Sequence, residues 1–188
     1  MEKIILASQS PRRKQLLEWA EIPFDVLVKE TDESYPQNLS IAEIAIHIAK
    51  NKALAVKDSL APGATILAAD TMVVCDNRII NKPKDRVDAI EILTSLSGRL
   101  HQVITGVVIM KAEKETVFTE TTEVEFHELS LAQIEFYVDN YKPYDKAGAY
   151  AIQEWIGVVG IKSVNGDFYN VMGLPVSRVV KALQGLNV

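Results

Sequence analysis

The sequence predicts an α/β fold with a mixed, twisted sheet flanked by helices. Strand-length apolar runs at residues 3–7, 24–28 and 64–75 alternate with segments of helical period. Two longer strand patterns surround one short polar turn, at residues 102–110 and 116–126. Such a pair is antiparallel, so a mixed sheet is expected rather than an all-parallel one. A chain of 188 residues suits one large domain or two small lobes, and a single domain over residues 1–188 is expected.

The elements follow in order. The first strand runs into Ser8-Gln9-Ser10-Pro11-Arg12-Arg13, where Ser10 is a favoured N-cap and Pro11 fits the first helical turn. Ser40-Ile41-Ala42-Glu43 reads as a capping box opening a long helix, with Ile41, Ile44, Ala45 and Ile48 on one face. A helix from Asp85 turns Val87, Ile90, Leu93 and Leu96 inward until Ser97-Gly98 stops it. Ala112 to Glu115 forms the polar turn between the long strands. Ser130 to Gln133 caps a helix with the stripe Leu131, Ile134, Tyr137 and Val138. Asn165-Gly166 reads as a hairpin turn between strands at 158–164 and 168–171. The last helix follows Pro175 and carries Val176, Val179, Val180 and Leu183.

Composition narrows the function. Apolar residues make up 48% and charged residues 24%, the balance of a soluble globular protein. No apolar run reaches membrane-spanning length, and no signal-type segment opens the chain, so membrane association is not expected. The single cysteine, Cys75, sits in an apolar run, reads as a buried structural thiol and is compatible with a reducing cytoplasm. A net charge of −5 gives no general attraction to nucleic acid; a local basic pocket suits a small polyanion better. His47, His101 and His127 lack the paired spacing of a zinc site.

Four segments carry candidate chemistry. The helix start after Ser10 offers unpaired N–H groups and the positive end of the helix dipole, and Arg12 and Arg13 add donor forks that fit phosphate oxygens. The same pattern also describes an ordinary capped helix with surface arginines. Asp70, in Ala69-Asp70-Thr71, stands where a strand delivers a carboxylate and a hydroxyl; it suits metal binding or proton acceptance, or simply a turn cap. Lys52, Lys82 and Glu33 read either as solvated surface groups or, for Glu33, as a second carboxylate for Mg²⁺. In Asp145-Lys146-Ala147-Gly148-Ala149-Tyr150-Ala151-Ile152-Gln153 the small residues admit close approach, and Gln153 has both a donor and an acceptor for a base edge. A glycine-containing strand with a polar end fits that segment equally well.

Taken together, these motifs resemble the Maf family of nucleoside triphosphate pyrophosphatases. Ser8-x-Ser10-Pro11-Arg12-Arg13, Ala69-Asp70-Thr71, Lys82-Pro83, Leu96-Ser97-Gly98-x-x-His101-x-Val103-Ile104-Thr105, the segment 145–153 and Gly173-Leu174-Pro175 follow one another in the family's order along essentially the whole chain. The resemblance is closest to the dTTP and UTP branch, which has glutamine where Gln153 stands. It implies hydrolysis of a nucleoside triphosphate to the monophosphate and pyrophosphate with Mg²⁺ or Mn²⁺. It also implies an elongated mixed sheet, two lobes around a central cleft, and a cytoplasmic homodimer. The family roles fall on Asp70 as catalytic residue, with Arg12, Thr71 and Gln153 setting substrate preference. Ser8, Arg13, Glu33, Lys52 and Lys82 match positions at the phosphate and metal end, with Glu33 assisting Asp70 at the metal.

The family pattern is broken after Gln153, where Glu154-Trp155 replaces a typical glycine and Ala151 replaces a frequent one. The alternatives are the 7-methyl-GTP-preferring branch, against which Gln153 argues, and a non-catalytic nucleotide-binding regulator of septum formation.

Overall fold

The computed structural model describes residues 2–186. Its elements run β1 (Ile4–Leu6), α1 (Pro11–Trp19), β2 (Phe24–Val26), α2 (Ile41–Lys57), β3 (Thr65–Cys75), β4 (Arg78–Ile80), α3 (Arg86–Leu96), β5 (Leu100–Lys111) and β6 (Lys114–Phe126). They continue through α4 (Leu131–Tyr141), a 3-10 turn (Ala147–Ala149), α5 (Trp155–Gly160), β7 (Ile161–Asn165), α6 (Phe168–Met172) and α7 (Val176–Gly185). Among the described residues the strands form one seven-stranded sheet in the order β2-β1-β3-β5-β6-β7, with β4 paired to β3. β1 runs parallel to β2 and β3, whereas β3–β4 and β6–β7 are antiparallel. The sheet is mixed, as the sequence predicts.

Contacts divide the chain into two compact units. Among the described residues the first comprises 2–71, 105–120 and 173–186, the second 72–104 and 121–172. In the first unit α2 lays Ala49, Ala53 and Val56 on Ala7 of the loop after β1, Ile66 and Ala68 of β3, and Val108 and Met110 of β5. Alanine on the helix lets it lie close to the sheet. Gly106 of β5 marks the closest approach: a Cβ there would stand 2.5 Å from the backbone of Ala45 and Ile46. Backbone cannot yield as a side-chain tip can, so the packing of α2 on β5 requires glycine.

The second unit has an aromatic interior. His101 of β5, Phe126 of β6 and Tyr150 are all buried, and their ring centroids lie 5.0–5.4 Å apart. Helices α3 and α4 pack together, and Arg86 of α3 grips both carboxylate oxygens of Asp139 on α4 at 2.6 and 2.9 Å.

The predicted helix starts are found. Ser10 caps α1, Ser40 and Ser130 form full capping boxes, and Asp85 accepts the Asp88 N–H. Cys75 is buried. The hairpin expected at Asn165-Gly166 is absent. β7 starts only at Ile161, after α5 has taken up Val158 and Val159, and it pairs with β6 instead. The residues beyond Gly166 form α6 because the Asp167 carboxylate accepts the N–H groups of Tyr169 and Asn170. Asn-Gly signals a turn, and the aspartate after it converts that turn into a helix start. Two stripe positions also differ. Val87 and Leu131 are 62% and 59% exposed; Ala89 is buried in α3, while Ile134, Tyr137 and Val138 carry the buried face of α4. Each misplaced residue sits in a first helical turn, which overhangs the end of its packing surface.

Candidate active site

Two hydrogen-bonded clusters meet in the first unit. The first is organised by Arg13. This side chain, in the first turn of α1, is only 7% exposed. Its Nε donates to the Gly173 carbonyl at 2.8 Å, Nη1 to Ser8 Oγ at 2.9 Å and Nη2 to Thr71 Oγ1 at 2.9 Å. Thr71 Oγ1 in turn lies 2.9 Å from Thr105 Oγ1 and donates to the Gly173 carbonyl at 3.3 Å. One guanidinium thus ties the loop after β1, the middle of β3 and the segment before α7 into a single unit. Three of the five N–H donors of Arg13 are committed to protein acceptors, so its main contributions are rigidity and a fixed positive field.

The second cluster is ionic. Lys52, on the fourth turn of α2, places Nζ 2.7 Å from Asp70 Oδ1 and 2.8 Å from Glu33 Oε1. Two carboxylates therefore converge on one cation position. Their surroundings differ: the Asp70 side chain is 16% exposed and that of Glu33 57%. The clusters adjoin electrostatically. Burial lowers the Arg13 pKa from its usual range, and the Asp70 charge opposes that most strongly, with a smaller contribution from Glu33; neighbouring Arg12 adds to the lowering. Arginine stays charged under such perturbation.

Asp70 lies inside β3, five residues before Cys75, within the strand run read at residues 64–75. The strand that ends nearby is its parallel partner β1, whose register with β3 closes at Leu6 opposite Leu67. Beyond that point β3 continues without a β1 partner, and Asp70 lies half-buried in this stretch. The carboxyl-end rule for ligand sites in α/β sheets applies here through β1.

Of the sequence-predicted residues, Ser8, Arg12, Arg13, Glu33, Lys52, Asp70 and Thr71 come together in the first unit, with Arg12 half-buried beside Arg13. Lys82 and Gln153 belong to the second unit and are exposed. Thr105 and Gly173 lie in the expected motifs, but no role was assigned to them. Their part in the network depends on contacts across 34 and 102 residues of sequence from Thr71.

The segment before Gln153 is a 3-10 turn rather than a glycine-containing strand. Gly148 has φ +71°, and a Cβ there would meet the methyl groups of Val73 at 3.0 Å. The small residue at this position thus serves packing on β3. Glu154, the departure beside Gln153, directs its carboxylate to the Tyr137 hydroxyl and to Lys146.

Among the described residues, no three His, Cys, Asp or Glu side chains cluster as a metal site. No helix among them is long and apolar enough to cross a membrane.

Residues 3–186 match the family model described as Maf-like protein. The chain is 52% identical over 181 residues to the dTTP/UTP pyrophosphatase of Cytophaga hutchinsonii, covering 96% of this chain and 83% of that protein. It is 46% identical over 185 residues to the dTTP/UTP pyrophosphatase of Bacteroides thetaiotaomicron, covering 98% and 96%. A solved HAM1 protein from Coxiella burnetii matches with a TM-score of 0.52 at 16% identity, over 98% of this chain and 100% of that one, a likeness of fold.

Proposed function

The chain belongs to the Maf family, and on that footing we propose that it is a nucleoside triphosphate pyrophosphatase acting on dTTP and UTP, a hydrolase of acid anhydrides in nucleotide metabolism. The observation that carries this reading is the convergence of Asp70 and Glu33 on the Lys52 ammonium beside the charge of Arg13. It is a built meeting point for phosphate oxygens and their counter-cation.

A triphosphate brings roughly four negative charges, and one exposed contact in water is worth only about 1 kcal/mol. Several cations must therefore act together. Lys52, Arg12 and Lys82 supply further positive charge, and Arg13 supplies a fixed one. Asp70 accepts the proton of the water that attacks the α-phosphorus. Basic groups neutralise the departing pyrophosphate. Ser8 and Thr71 hold the backbone around the phosphates in register through Arg13, and Gln153 reads the pyrimidine edge.

The donor set fits Mg²⁺ or Mn²⁺. Asp70 and Glu33 offer two hard carboxylates at one point now bridged by an ammonium, and such ions take one or two carboxylates plus phosphate oxygens and water. When bound, the ion would neutralise phosphate charge and lower the pKa of a bound water. We place the enzyme in the cytoplasm, consistent with its single buried thiol, and infer a homodimer.

Product analysis with dTTP, UTP, CTP and GTP tests the reading. Monophosphate and pyrophosphate, fastest from dTTP and UTP, are expected. Orthophosphate with a nucleoside diphosphate would place the attack elsewhere and refute it.

A further inference from the structure

The turn that presents Gln153 is clamped from α4 by a network in which Gln153 takes no part. Residues 151–154 form a tight turn closed by the Glu154 N–H donating to the Ala151 carbonyl at 3.1 Å. Ala151 and Ile152 are each only 4% exposed, while Gln153 between Ile152 and Glu154 is exposed. Tyr137 of α4 is fully buried, and its hydroxyl touches both ends of the turn. It accepts the Ala151 N–H at 3.1 Å and donates to the Glu154 carboxylate. Lys146, 8% exposed, lies 3.5 Å from the other Glu154 oxygen and 2.8 Å from Asp145. At the adjacent positions, the rings of Phe136 and Trp155 meet at 4.8 Å.

We infer that Tyr137, Glu154 and Lys146 are positioning residues that fix the direction of Gln153 and so set base preference. A single rotatable hydroxyl satisfies one backbone donor and one charged acceptor, so the two ends of the turn cannot move independently. A hydrogen bond to a charged, half-buried acceptor is among the stronger ones, and Lys146 balances the charge that would otherwise be left beside it. Substitution of the usual glycine by Glu154 thus does not intrude on Gln153: its carboxylate is held on the side of Tyr137. The inference rests on Gln153 being the base reader under the proposed function.

The test compares kcat and KM for dTTP, UTP and GTP in four single variants and one double variant. Tyr137→Phe keeps the ring and removes the hydroxyl. It should lower pyrimidine preference about tenfold, the size of one charged hydrogen bond, through KM and with little change in kcat. Gln153→Ala should lose the same preference, and the double variant should lose no more than either single one. Because Tyr137 is buried and its variant can lose stability, Glu154→Ala and Glu154→Gln provide a second route through a more exposed residue. The alanine variant should lose preference, and the glutamine variant, which keeps an acceptor for the hydroxyl, should retain most of it. Wild-type preference in both Tyr137→Phe and Glu154→Ala, with Gln153→Ala still impaired, would overturn the clamp and leave base reading by Gln153 standing. Unchanged preference in Gln153→Ala would overturn both.

Discussion

At Arg13 in the first unit a buried charge is kept and matched; at His101 in the second it is removed. Arg13 is buried but sits in the field of Asp70 and Glu33, and Lys52 bridges those same two carboxylates. His101 of the second unit is equally buried, yet its nearest titratable partner is the neutral phenol of Tyr150, 2.7 Å from Nε2. Burial pushes the imidazole down to about 4 and the phenol up beyond its ordinary range. The difference separates two ways of making a polar interior tolerable. Paired ions in a partly open site keep a field that a phosphate chain can use. A neutral hydrogen-bonded pair among aromatic rings gives only rigidity.

The sharpest way to break this comparison is to remove one charge from the matched set. Asp70→Asn preserves shape but takes away the proton acceptor and one of two carboxylates facing Lys52. Turnover should fall by at least about a thousandfold, the combined scale of lost general-base and electrostatic contributions. Nucleotide binding by calorimetry should persist, since the cations remain. Pyrophosphate release at the wild-type rate would remove Asp70 from the reaction.

Much of this arrangement was legible before any coordinates. Ser10, Ser40, Asp85 and Ser130 announce their helices because capping is local chemistry, decided within three or four residues. The acid at Asp70 and the basic turn at Arg12-Arg13 stand out for the same reason. What was not legible depends on distant partners. No local rule reveals that Arg13 donates to a carbonyl 160 residues away, or that Tyr137 closes a turn 14 residues on. The missed helix α6 is a different failure: Asn165-Gly166 and Asp167 are both strong local signals, and the cap outweighed the hairpin. Val158-Val159, β-branched yet helical, shows tertiary context overriding strand propensity.

A smaller effect sharpens the contrast between matched charge inside and outside. Arg13→Lys keeps the charge but loses the fork, and one ammonium cannot serve Gly173, Ser8 and Thr71 in the same geometry. Unfolding free energy should fall by about 2–4 kcal/mol, the cost of buried partners left unsatisfied. Arg86→Lys breaks an equally well-formed bidentate pair with Asp139, but that pair is solvated, with side chains 46% and 49% exposed. Its denaturation midpoint should hardly move. Equal losses in the two variants would mean that burial is not what gives Arg13 its importance.

The smallest effect concerns the neutral pair of the second unit and its dependence on pH. The usual pKa of histidine, 6.5, falls to about 4 in the folded protein, with burial as the cause and a backbone interaction with Arg99 opposing it. Between those values the unfolded chain binds a proton that the folded chain refuses. Stability carried by neutral His101 is therefore complete above the unfolded value and is lost as pH falls toward the folded one. Between about pH 7.5 and pH 5 the loss should be about 2 kcal/mol. Urea unfolding of wild type and His101→Gln at both pH values isolates it, since glutamine keeps a donor and an acceptor but cannot titrate. The wild-type protein should lose about 2 kcal/mol more than the variant over that interval. Parallel pH profiles would mean that His101 accepts a proton without unfolding, and the interior of the second unit would then tolerate charge as the first does.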